Sequence, residues 1–131
     1  MDHLPVFLRI FLFLASAGSI LWLSLDADPP VPAWEVLSWD KLQHALAYAV
    51  LALSTGGVLQ IFRRSARVTW AAAFAVSLGF GIGVEILQKQ LTSNRQFEAL
   101  DILADGIGAL LATAFAFWWE RSRVPHPGGN R

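Results

Sequence analysis

VTWAAAFAVSLGFGIGVEILQKQL, residues 68–91, decides the fold. No ionisable residue occurs in it before Glu85, and the run is as long as the roughly 20 residues that carry a helix across a hydrocarbon layer of about 30 Å. Its polar and small residues are ordered: Ala73, Ser77, Gly81 and Glu85 follow one another at i, i+4 spacing, with Gln88 a turn further. That spacing puts them on one helical face. Small residues let helices approach closely in a membrane, and Gly79 with Gly83 forms a second small-xxx-small pair.

Working outward, three more apolar runs occupy residues 4–25, 41–62 and 100–119. The first carries one charge, Arg9, near enough to its end to snorkel to the interface. A signal peptide is the alternative reading of that run, but its apolar stretch is longer than the usual h-region. Residues 26–39 hold Pro29, Pro30 and Pro32 with acidic groups, so they read as an extended loop, with Trp34 and Trp39 suited to an aromatic belt. Residues 120–131 read as a polar tail, and Gly56 with Gly57 marks a thin place in the second run. The expected fold is a single all-α domain, 1–131: an integral membrane four-helix transmembrane bundle with spans at about 4–25, 41–62, 68–91 and 100–119.

Composition agrees, since 131 residues that are 55% hydrophobic and 15% charged exceed the apolar share of ordinary soluble domains. Zero net charge and scattered basic residues exclude the electrostatic footprint of a nucleic-acid binder. With no cysteine, disulfides, thiolate metal sites and cysteine nucleophiles are excluded as well. Orientation follows from Lys and Arg. Arg9, Arg63, Arg64, Arg67, Arg121, Arg123 and Arg131 fall on one side, and Lys41, Lys89 and Arg95 on the other, which predicts both termini inside.

Helices that alternate in direction bring the start of the second, the end of the third and the start of the fourth to the same, outer interface. Asp40, His44 and Tyr48 stand at i, i+4, i+8 on the second helix, and Asp101 and Asp105 at i, i+4 on the fourth, followed by Gly108, Ala109 and Ala112. With Lys41, Glu85, Gln88, Arg95 and Glu98 these residues predict a shared polar pocket, because ionisable groups facing lipid are costly. Asp40, Glu85, Asp101 and Asp105 outnumber Lys41 and Arg95. Either some carboxyls hold protons, or His44 is protonated, or a cation binds.

Plainer roles compete. Asp40 and Asp101 suit helix N-termini, and a solitary histidine is more often a satisfied hydrogen-bonding residue than a ligand or base. Glu85 and Asp105 lie inside apolar runs where capping is not available, so they are the stronger functional candidates. The Arg63, Arg64, Arg67 group reads as a topology determinant, with anionic lipid contact as the lesser alternative.

Asp40-Lys41 followed by His44 and Tyr48, then Glu85-x-x-Gln88, then Arg95 and Asp101-x-x-x-Asp105-x-x-Gly108, resembles the VanZ-like membrane protein family over residues 36–119. The chain departs from the family in carrying Asp105 where asparagine is frequent. The resemblance implies a multi-pass protein of the bacterial cytoplasmic membrane, linked through the family's namesake to susceptibility to the glycopeptide teicoplanin. It supplies no established reaction.

Three functions stay open at this point. In the first, Asp40, Lys41, His44, Tyr48, Glu85, Gln88, Arg95, Asp101 and Asp105 bind a lipid-linked or cell-wall-related head group, Arg95 taking an anionic part of it. In the second, an enzyme uses His44, Glu85 or Asp105 as acid or base, with carboxylates holding a divalent metal; neither a metal nor a cofactor is specified by any motif. The third is a transporter subunit, which at four helices would require a homo-oligomer. Membrane lipids are the partners common to all three.

Overall fold

The computed structural model describes residues 4–26, 40–62, 64–91 and 98–123. Pro29, Pro30, Pro32, Trp34, Trp39, Arg63, Arg95 and Arg131 lie outside the described residues. Among the described residues four helices follow one another: α1 Val6–Leu25, α2 Asp40–Leu59 continued by a 3-10 turn Gln60–Phe62, α3 Ala66–Leu91 and α4 Ala99–Ser122. All four are long and apolar enough to cross a membrane. α4 runs through Glu120 to Ser122, so the start of the expected polar tail is the last turn of a helix.

Local chemistry sets the helix ends. Pro5 precedes α1, a favoured place because proline has no N–H to leave unsatisfied, and its carbonyl accepts the N–H groups of Leu8 and Arg9. Ser65 opens α3 by taking the Val68 N–H on its Oγ at 3.4 Å and the Thr69 N–H on its carbonyl. Inside the helices, hydroxyls turn back on their own backbone. Ser54 and Thr55 both donate to the Leu51 carbonyl, and Thr113 donates to Ala109, which satisfies polar groups where lipid offers none.

Packing centres on α2, whose most extensive partner is α4; α1 is the outlying helix, burying only Arg9 and Ile20. The α2–α4 crossing is close because Gly108 lies against the backbone of Ala45, leaving no room for a Cβ. Gly56 plays the same part toward α3, receiving the ring of Trp70. Gly79 and Gly83 do not serve this purpose: a Cβ on either meets nothing within 4 Å, so that pair faces outward and the helix interface lies on the Ala73, Ser77, Gly81, Glu85 face instead.

The distribution of polarity is inverted relative to a soluble domain. Phe7 and Leu111 are 72% and 66% exposed, while Ser77, Glu85 and Asp105 are almost wholly buried. Water would not tolerate that apolar exterior, whereas acyl chains cover it without penalty. The molecule is an all-α transmembrane four-helix bundle with a polar interior.

Candidate functional site

Three tertiary contacts fix which helix ends share a membrane face. At one face Arg9 Nη1 of α1 donates to the Gly57 carbonyl of α2, and Trp70 Nε1 of α3 donates to Glu120 Oε2 of α4 at 2.8 Å. At the other, Gln88 Nε2 donates to the Ser24 carbonyl, joining the ends of α3 and α1. The beginnings of α2 and α4 therefore meet the end of α3 at this second face, and the acidic residues meet there with them.

Lys41 is the hub. Its Nζ donates to Asp40 Oδ2 at 3.1 Å and Glu98 Oε2 at 2.8 Å, and it makes a close ion pair with Asp101 Oδ1. One ammonium thus engages three carboxylates, binding α2 to the first turn of α4. Asp101 is spent on Lys41 rather than on capping, for the residue at the N-cap position of α4 is Glu98, and its side chain makes no capping bond.

His44 lies one turn below. Its Nδ1 hydrogen-bonds Asp105 Oδ1 at 2.9 Å, and Asp105 is 1% exposed. One proton is shared in this bond between Nδ1 and the Asp105 carboxyl, and the bond fixes the orientation of the imidazole. Nε2 then points toward the acids at the helix ends, 3.8 Å from Asp40 Oδ1 and 3.7 Å from Asp101 Oδ2. Those separations are within ion-pair range but too long for hydrogen bonds. Beneath the pair, Gly81 makes room: a Cβ there would stand 2.7 Å from Asp105 Oδ2 and 3.1 Å from the Tyr48 ring. Tyr48 is itself buried and packs at a tilt on Phe80.

Glu85 has a different position from the one its sequence context suggests. Its Oε2 accepts the Glu98 backbone N–H at 3.2 Å, so it does cap a helix, though α4 rather than its own. The structure brings Asp40, Lys41, His44, Asp101 and Asp105 into one connected cluster, with Tyr48 below it and Glu85 joined through Glu98. Gln88 turns its Nε2 toward α1, and Arg95 lies outside the described residues.

Asp40, His44 and Asp101 could hold a metal ion, their ligand atoms all lying within 4.8 Å of one another. The Lys41 ammonium already pairs with Asp40 and Asp101, so a divalent cation would compete with it for the carboxylates. Chemically, the cluster offers an excess of acceptors, one oriented imidazole and a buried carboxylate behind it.

A second polar group, on the opposite face, has no regular spacing in the sequence. Glu120 accepts from Trp70 Nε1 and, at 3.4 Å, from Gln60 Nε2. A glutamate closing an aromatic run and a lone glutamine near the end of another are the only signals in the sequence. These features define a class: membrane-spanning bundles with an acid–imidazole cluster at one face. Comparison of the chain with protein-family models, with curated proteins and with solved structures finds no match.

Proposed function

We propose that this chain is a VanZ-like protein of the bacterial cytoplasmic membrane, with both termini cytoplasmic, and that the cluster of Asp40, Lys41, His44, Asp101 and Asp105 binds the head group of a lipid-linked or cell-wall-related molecule from the outer side. Binding there would alter susceptibility to teicoplanin-type glycopeptides. The observation that carries this reading is His44, held through Nδ1 by buried Asp105 with Nε2 directed at the acids of the outer face. A side chain held this way is prepared for a partner, since its orientation is set before the partner arrives. Acceptors exceed donors, which favours a head group bearing hydroxyl or ammonium donors toward the cluster. Arg95 is assigned the anionic part from the chemistry of guanidinium alone.

The test is to purify the full chain from its native membrane and identify retained lipids by mass spectrometry. Wild type is expected to retain one head-group class, and His44→Ala to lose it by about tenfold or more, the equivalent of one or two hydrogen bonds. Retention that is unselective, or indifferent to His44→Ala in a folded variant, contradicts the proposal.

The same Asp105–His44 pair supports a second reading, because a base oriented by a carboxylate is the arrangement that activates water or a hydroxyl. That reading predicts turnover of the retained molecule, abolished by His44→Ala and reduced by Asp105→Asn. Binding without turnover decides for the first reading.

A further inference from the structure

Away from the acid cluster, a groove of about 390 Å³ opens between α3 and α4 near the face that carries Arg9. Its walls include Trp70, Phe74, Leu110 and Phe117, and Arg67 and Arg121 also line it. We infer that this groove seats an acyl chain of an anionic phospholipid, with the lipid phosphate held by Arg67 and Arg121.

Three observations converge on that occupant. First, the charges are placed and uncommitted: among the described residues no carboxylate pairs with Arg67 or Arg121, and Arg121 lies over the Phe117 ring, 5.6 Å from its centroid. The nearest acid in sequence, Glu120, is bound to Trp70 and Gln60. Second, the depth is right. Trp118 and Trp119 are exposed beside Phe115 at this end of α4, and Arg123 stands 4.6 Å from the Trp119 ring, the composition of a headgroup-level belt. Third, the wall is fixed before any lipid arrives, because Trp70 is pinned by Glu120 at its Nε1 and by Gly56 at its ring. An apolar trough ending in two arginines at phosphate depth complements a diacyl anion, whereas a zwitterionic lipid adds a cation beside the guanidinium groups.

The full chain, delipidated in a non-ionic detergent, is titrated with phosphatidylglycerol or phosphatidylcholine, and bound lipid is counted by native mass spectrometry. Each arginine near an anionic group contributes about fivefold, so phosphatidylglycerol should be preferred by about 25-fold. In Arg67→Gln/Arg121→Gln the preference should fall to within about twofold. Ala114→Trp, which fills the groove without touching the charges, should reduce retention of both lipids. Equal retention by wild type, a preference that survives the double substitution, retention unaffected by Ala114→Trp, or a dimer that excludes lipid would each overturn the inference. Should the double variant fail to fold, the wild-type preference and Ala114→Trp still decide it.

Discussion

Asp105 shows how one residue acquires its role from three helices. α4 supplies it, α2 supplies the imidazole that bonds it at 2.9 Å, and α3 supplies Gly81, whose missing side chain leaves space for its second oxygen. Gly81→Ala is expected to fold, because the atom in its way is the far end of a movable side chain, but to displace Asp105 and loosen head-group retention. Measuring retention and thermal unfolding together separates the two effects: lost stability with intact retention would contradict this account of Gly81. On the opposite face, Trp70→Phe removes a donor from Glu120 and should cost about 1–3 kcal/mol in a detergent unfolding titration, as loss of a hydrogen bond to a charged acceptor does. Much of this scale was legible in the sequence. Asp105 and Glu85 stood out as charges within apolar runs, and both are buried in the bundle. What periodicity could not show was the partner: Glu85 accepts an N–H from Glu98 across the connection between α3 and α4, a contact that depends on where the chain turns.

Between elements, the crossings are set by particular glycines rather than by glycine content. A Cβ at Gly108 would overlap the backbone of Ala45, which cannot move without shifting α2, whereas a Cβ at Gly79 meets nothing. Gly108→Ala should therefore destabilise the bundle by roughly 1–3 kcal/mol, the usual cost of overpacking, while Gly79→Ala should be neutral or mildly stabilising. Unfolding of both variants in the same detergent checks this, and equal effects would contradict the assignment of interfaces. The sequence misled here for a definable reason. Gly79 and Gly83 satisfy small-xxx-small spacing as well as any pair in the chain, but the motif states only that close approach is sterically allowed. Polarity chose the buried face of α3: Ser77, Glu85 and Gln88 need the interior, which turns Gly79 and Gly83 outward. Along α4, where Asp101, Asp105 and Gly108 share one face, the two signals agreed and the reading matched the structure.

For the molecule as a whole, hydropathy was sufficient to give the number of helices and their approximate limits, because a lipid-covered helix must carry a long uninterrupted apolar run. Sidedness rests on arginine and lysine counts and is directly measurable, since the chain contains no cysteine of its own. Gln90 and Arg123 are exposed at the ends of α3 and α4 on opposite faces of the bundle. In intact cells an impermeant maleimide should label Gln90→Cys, and should label Arg123→Cys only after permeabilisation; the reverse pattern would invert the proposed orientation. In the acid cluster the two most extensively packed helices are joined by the His44–Asp105 bond and, nearer the helix ends, by the ion pair of Lys41 with Asp101. A double-mutant cycle with Lys41→Met, Asp101→Asn and the pair together, read by unfolding of the full chain in detergent, tests that link most directly. The account predicts coupling of about 1 kcal/mol or more, with Lys41→Met the costlier single change because it leaves Asp40, Glu98 and Asp101 facing one another. Additive effects, within about 0.3 kcal/mol, would show that these groups do not meet and would contradict the assembly of the cluster.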